Sequence, residues 1–117
     1  LVATTHTRWF SEQFDYQHDA LAQRTIQSLA TTPALGYAES CRVLAQADLS
    51  EEIQQIQIPT LLIAGAFDPV TTVADGVFMQ QQIQKSELAV IDASHLSNIE
   101  QPELFNKTLS QFIGSLQ

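Results

Sequence analysis

Two short apolar runs, a helix between them and a helix after the second predict an α/β fold with parallel strands. Thr60-Leu61-Leu62-Ile63-Ala64 is stopped by Gly65, and Leu88-Ala89-Val90-Ile91 repeats the pattern. Uninterrupted apolar runs of this length read as strands buried on both faces. Strand, helix, strand, helix is a βαβ unit and its extension, with a right-handed crossover and parallel strands expected. Before Ile58-Pro59 the periodicity is helical throughout. The chain therefore divides into residues 1–57, a helical segment leading back to the core, and residues 58–117, the β-α-β-α portion of that core.

The elements follow in order. A weak helical pattern covers Arg8 to about Phe14. Leu21, Ala22, Thr25, Ile26, Leu29 and Ala30 recur at helical spacing and predict a helix over about residues 18–31. Thr32-Pro33 reads as an N-cap followed by Pro at the first helical position. The helix it opens carries Leu35, Ala38, Cys41, Leu44 and Ala45 on one stripe, which makes Cys41 a small core residue. Glu51 to Gln55 is a short helical turn. Thr72, with Asp75 three residues later, predicts a capping box and a helix to about Gln84. Pro102 opens the last helix, with Leu104, Phe105, Thr108, Leu109, Phe112 and Ile113 on its apolar side. Gln80-Gln81-Gln82 falls on a predicted helix surface and has no chemical reading.

Size and charge bound the function classes. The 117 residues suit one domain, and 44% apolar with 15% charged residues is globular composition. Five Lys and Arg against 13 Asp and Glu leave a net charge of −8. Phosphate neutralisation needs a basic face, so no nucleic-acid partner is expected. No apolar run approaches the ~20 residues that span a bilayer, so no membrane association is expected either. The single cysteine excludes an internal disulfide and fits a reducing, cytoplasmic compartment. Two strands are too few for a parallel sheet covered on both faces. The expectation is therefore the C-terminal part of a larger α/β protein, consistent with a first residue that is not Met and is not the start of a signal peptide.

Reactive groups in an open parallel sheet gather past the carboxyl ends of its strands. Asp68 comes four residues after Ala64, and His95 comes four after Ile91. Parallel strands deliver both loops to one edge of the sheet. An Asp and a His placed this way are the orienting acid and general base of a hydrolytic triad, and the Asp-then-His order is that of the α/β-hydrolases. Taken singly, each has a plainer reading: Asp68 before Pro69 opens a turn, and His95 is a loop histidine. Asp92 is a second candidate acid, but it sits close to His95 and more simply ends its strand.

The motifs around these residues resemble a known family. Gly65-Ala66-Phe67-Asp68-Pro69-Val70-Thr71 resembles the G-x-x-D-x-x-T segment that carries the triad Asp in many α/β-hydrolases. Ser94-His95-Leu96-Ser97-Asn98-Ile99-Glu100-Gln101-Pro102 resembles the segment with the triad His. Thr7-Arg8-Trp9-Phe10, and Gly36-Tyr37-Ala38-Glu39-Ser40-Cys41 followed by Ala47-Asp48-Leu49, resemble the cap helices of the 3-oxoadipate enol-lactonases of bacterial aromatic catabolism. The resemblance covers about Thr7 to Phe112. Ser94 stands where many relatives have Gly, and Thr72 where Pro commonly follows the motif Thr. It implies cap helices followed by the last β-α-β-α of an α/β-hydrolase sheet, and opening of an enol-lactone to a 3-oxo diacid without a cofactor. It also implies a small anionic lactone as the substrate. Arg8 is the expected cation for its carboxylate, the alternative being an exposed helix arginine. Trp9 either covers the substrate ring or packs cap against core.

No nucleophile accompanies the pair. The four glycines, Gly36, Gly65, Gly76 and Gly114, form no G-x-S-x-G elbow, and the oxyanion hole beside such a serine is missing with it. Ser94 adjoins His95 too closely to serve, and Ser97 reads as the cap of the following turn. His6, His18, His95 and Cys41 form no metal-ligand spacing, so no metal is expected. The chain alone is expected to be inactive and to self-associate through an unpaired sheet edge. Two alternatives stand beside the enol-lactonase: another α/β-hydrolase (esterase, haloperoxidase-like or C–C hydrolase), and a non-catalytic α/β interaction module.

Overall fold

The computed structural model describes residues 2–117. Strands β1 (Thr60–Gly65) and β2 (Ser86–Ile91) pair in parallel, in register from Thr60 opposite Ser86 to Gly65 opposite Ile91. They are the whole sheet among the described residues. Helix α4 (Val73–Gln82) connects them and packs on both. Its start obeys the capping-box chemistry: the Asp75 N–H donates to the Thr72 hydroxyl, and the Thr72 N–H donates to the Asp75 carboxylate at 2.7 Å. A short helix α5 (Ser97–Glu100) and a long α6 (Pro102–Ser115) follow β2, with Pro at the first position of α6. Upstream lie α1 (Val2–Trp9), α2 (Ala20–Thr31), α3 (Ala34–Gln46) and a 3₁₀ turn over Glu52–Gln55. Asp19 caps α2, its carboxylate accepting the Ala22 N–H at 2.8 Å.

The core that matters for the site joins the two ends of the chain. Phe10, Ala22 and Ile99 form a buried cluster, with Trp9, Phe14, Tyr16, Ile26 and Leu96 packed around it. The ring of Phe10 lies parallel to that of Tyr16, with centroids 5.9 Å apart, and tilts against Phe14 at 5.2 Å. Apolar rings from the segment after α1 are thus sealed against α2 and α5, which seats the beginning of the chain on the loop that follows β2.

Several local expectations are corrected. The first helix lies earlier than Arg8 to Phe14: it ends at Trp9, and the turns that follow bring Tyr16, which a continuing helix would rotate away from the face shared by Phe10 and Phe14, into the same cluster. Thr32 closes α2, donating its N–H to the Leu29 carbonyl, and α3 begins one residue after Pro33, whose extended ψ of 126° places it outside the helix. Cys41 is exposed and α3 has no buried residue; Leu35 and Leu44 are 75% and 74% exposed. The stripe is present, but no described element covers it. The strands are only part-buried, Val90 being half exposed, because the described elements cover the faces of this two-stranded sheet incompletely. Ser97 is the first residue of α5 rather than its cap, and it is buried.

Candidate active site

The site is built where β1 and β2 run out. Hydrogen bonding continues past the strands: the Ala66 N–H donates to the Ile91 carbonyl at 2.8 Å, and the Phe67 N–H to the Ala93 carbonyl at 3.0 Å. Gly65 permits this closeness. A Cβ there would lie 2.4 Å from the Ser94 carbonyl oxygen and 2.6 Å from that of Ala93, both main-chain atoms. The glycine lets the two loops close over one another.

This brings Asp68 and His95 together, with Asp68 Oδ2 2.8 Å from His95 Nδ1. The Asp68 side chain is 4% exposed and that of His95 31%. A neutral imidazole that donates its Nδ1–H to the carboxylate presents Nε2 as a proton acceptor. Burial alone would push the Asp68 pKa up. The His95 hydrogen bond, the Val70 N–H, the Thr71 hydroxyl and the Thr71 N–H outweigh it and hold the carboxyl below its ordinary value. The donors divide neatly: Oδ1 accepts the N–H groups of Val70 (2.7 Å) and Thr71 (3.1 Å), and Oδ2 accepts the Thr71 hydroxyl (2.8 Å) and faces the ring. Thr71 is the motif threonine, and its oxygen also lies 3.4 Å from His95 Nδ1.

The loop bearing His95 is anchored on both sides. Buried Ser94 donates its hydroxyl to the Arg8 carbonyl at 3.1 Å and its N–H to Glu100 Oε2 at 2.9 Å. The Leu96 N–H donates to the Trp9 carbonyl at 2.9 Å. Glu100 also accepts the N–H of Ser11 at 3.1 Å, and its other oxygen accepts the Ser11 hydroxyl. The structure thus places the main chain of Arg8 and Trp9 directly against the His95 loop. Trp9 packs into the Phe10 cluster, and among the described residues Arg8 enters no ion pair. An open cleft of about 420 Å³, lined by Thr7, Phe10, Ser11, Glu12, Gln13, Phe67 and Pro69, lies between this segment and the Asp68 loop. Among the described residues no group of three or more His, Cys, Asp or Glu is placed to hold a metal ion, and no helix is long and apolar enough to cross a membrane. Sequence reading gave no role to Thr71 or Glu100. Thr71 was visible as a motif position, whereas Glu100 meets Ser11 across 89 residues and has no local signature.

Comparison with known proteins identifies the family. The alpha/beta hydrolase fold profile matches residues 10–102. The chain belongs to the α/β-hydrolase family. Over its full 117 residues this α/β-hydrolase chain is 65% identical to 3-oxoadipate enol-lactonase 1 of Acinetobacter baylyi, covering 44% of that protein. It is 47% identical over 106 residues to 3-oxoadipate enol-lactonase 2 of the same organism, covering 40% of it. The enol-lactonase from Burkholderia xenovorans superposes with a TM-score of 0.91 at 31% identity, over 97% of this chain and 44% of that one. The chain thus spans under half the length of the α/β-hydrolases it resembles.

Proposed function

We propose that these residues supply the acid–base half of a serine hydrolase that opens 3-oxoadipate enol-lactone to 3-oxoadipate. The observation that carries the reading is the 2.8 Å contact between Asp68 and His95 past sequential parallel strands, in a chain 65% identical to an enol-lactonase. Since no G-x-S-x-G occurs in the 117 residues, the nucleophile and oxyanion hole belong to polypeptide outside them. The serine attacks the lactone carbonyl while His95 Nε2 takes its proton. Asp68 holds the tautomer and supports the imidazolium. Collapse of the tetrahedral intermediate breaks the acyl–oxygen bond, and His95 returns the proton to the enol oxygen, which tautomerises to the ketone. Water then enters by the same base and releases the acid from the serine. Ser94 is unsuited to the nucleophile's part, because its buried hydroxyl donates to main-chain carbonyls. Arg8 provides the local cation for the substrate carboxylate, offsetting the repulsion of a net charge of −8. An exposed free Cys41 suits the cytoplasm.

The test is steady-state hydrolysis of the enol-lactone by the complete polypeptide carrying this sequence. His95→Ala is expected to lower kcat by roughly 10³-fold or more, while the 117 residues alone give no turnover. Retention of kcat in His95→Ala would defeat the reading. Arg8→Ala is expected to raise KM for the anionic lactone far more than for a neutral ester; equal changes would remove Arg8 from the substrate site.

A further inference from the structure

We infer that Glu100 is a positioning residue of this site, and the inference rests on the acid–base role proposed for His95. Its carboxylate accepts from two residues, Ser94 and Ser11, that the sequence keeps far apart. One oxygen accepts the N–H of Ser94, the residue before His95, and the N–H of Ser11; the other accepts the Ser11 hydroxyl. Two further bonds tie the same pieces together, Ser94 hydroxyl to Arg8 carbonyl and Leu96 N–H to Trp9 carbonyl. The His95 loop is thereby held from both flanks to the end of α1 and to Ser11 just beyond it.

The physical need is specific. Asp68 is fixed by its own turn, through the N–H groups of Val70 and Thr71 and the Thr71 hydroxyl. His95 has no comparable bond besides the one to Asp68 and the longer contact with Thr71, so its ring position depends on where the main chain of its loop is held. Gly65 leaves that loop free to approach β1, and Glu100 holds it there. A carboxylate on α5 suits the task because α5 is seated by buried Ile99 in the Phe10 cluster. The side chain therefore works from a fixed base, and the N–H groups it accepts would otherwise be part-buried without partners. One carboxylate thus registers Ser11, just past the Arg8 proposed for the substrate, against the loop of the proposed base.

Reach rather than charge is what the geometry requires. A glutamine at this position keeps the length, and its single carbonyl oxygen can accept both N–H groups while its amide meets the Ser11 oxygen. An aspartate keeps the charge but falls a methylene short. In the complete polypeptide, Glu100→Ala and Glu100→Asp are expected to lower kcat for lactone hydrolysis by about 10–100-fold, the loss typical of an ångström-scale misplacement, with KM changing much less. Glu100→Gln should restore most of the rate. The downfield NMR resonance of the His95 Nδ1 proton, read without substrate, should broaden or move upfield in the Ala and Asp variants and persist in the Gln variant. If Glu100→Ala does not fold, the ordering of Asp below Gln carries the test alone. Wild-type kcat and an unchanged resonance in Glu100→Asp would overturn the inference, as would a Gln variant no better than Asp. His95→Ala separates the two ideas. If that variant still turns over, the hydrolase reading fails, while the resonance still reports whether Glu100 sets the ring.

Discussion

Asp68 shows how a single carboxylate can be committed to one protonation state. It has four donors around it and a nearly buried side chain, so the folded protein binds a proton to it less readily than the unfolded chain does. A carboxyl whose folded pKa is depressed stabilises the fold fully above its unfolded value of about 3.9, and that contribution is lost as pH falls through the lower folded value. Stability measured by chemical denaturation should therefore drop as pH descends below about 4, and Asp68→Asn should flatten part of that limb. The same variant should cut kcat of the complete polypeptide by roughly 10⁴-fold, because an amide donor facing Nδ1 forces the proton onto Nε2 and removes the base. A kcat unchanged by Asp68→Asn would mean that the contact is structural.

At the scale of elements, the meeting of two strand ends decides the site. Gly65 is where β1 stops, and main-chain oxygens of Ala93 and Ser94 occupy the space a side chain would take. Gly65→Ala forces the β1 and β2 loops apart and should destabilise the fold by about 1–3 kcal/mol, the usual cost of overpacking. Gly36 offers the contrast: it lies inside α3 with nothing within 4 Å of a built Cβ. Gly36→Ala should add stability approaching about 1 kcal/mol through helix propensity alone. Equal effects of the two variants in urea titrations would refute the close-approach argument. Both glycines are equally visible in the sequence, but only the fold says which one has a neighbour.

At the scale of the whole molecule, the apolar surface is unevenly covered. The Phe10 cluster is sealed, yet Leu35, Val43, Leu44, Leu49 and Ile58 are all more than 60% exposed, and the sheet keeps an open edge on each side. Exposed edges and apolar stripes of this kind recruit partners. Taken alone, the 117 residues should bind a hydrophobic dye and sediment as associated species. A compact monomer that leaves the dye dark would contradict this. The α/β-hydrolases that the chain resembles are more than twice its length, which is the scale of surface such a face can engage.

What the sequence determined by itself was local and periodic. The apolar runs at Leu61–Ala64 and Leu88–Ile91, the Thr72–Asp75 box and Pro102 at a helix start are short-range signals, and each has its cause within a few residues. Their parallel pairing placed Asp68 and His95 at one edge, so the central contact was legible in the sequence. The fate of α3 was not: its stripe is a true amphipathic pattern, but burial requires a second surface, and periodicity does not contain one. The helix boundary at Trp9 was decided by three aromatic rings finding Ala22 and Ile99. Glu100 was decided by the same packing, since a carboxylate can accept from Ser94 and Ser11 only after residues 89 apart have been brought together. Tertiary structure alone chose these outcomes, because their free energy lies in contacts between segments that no local window of sequence holds.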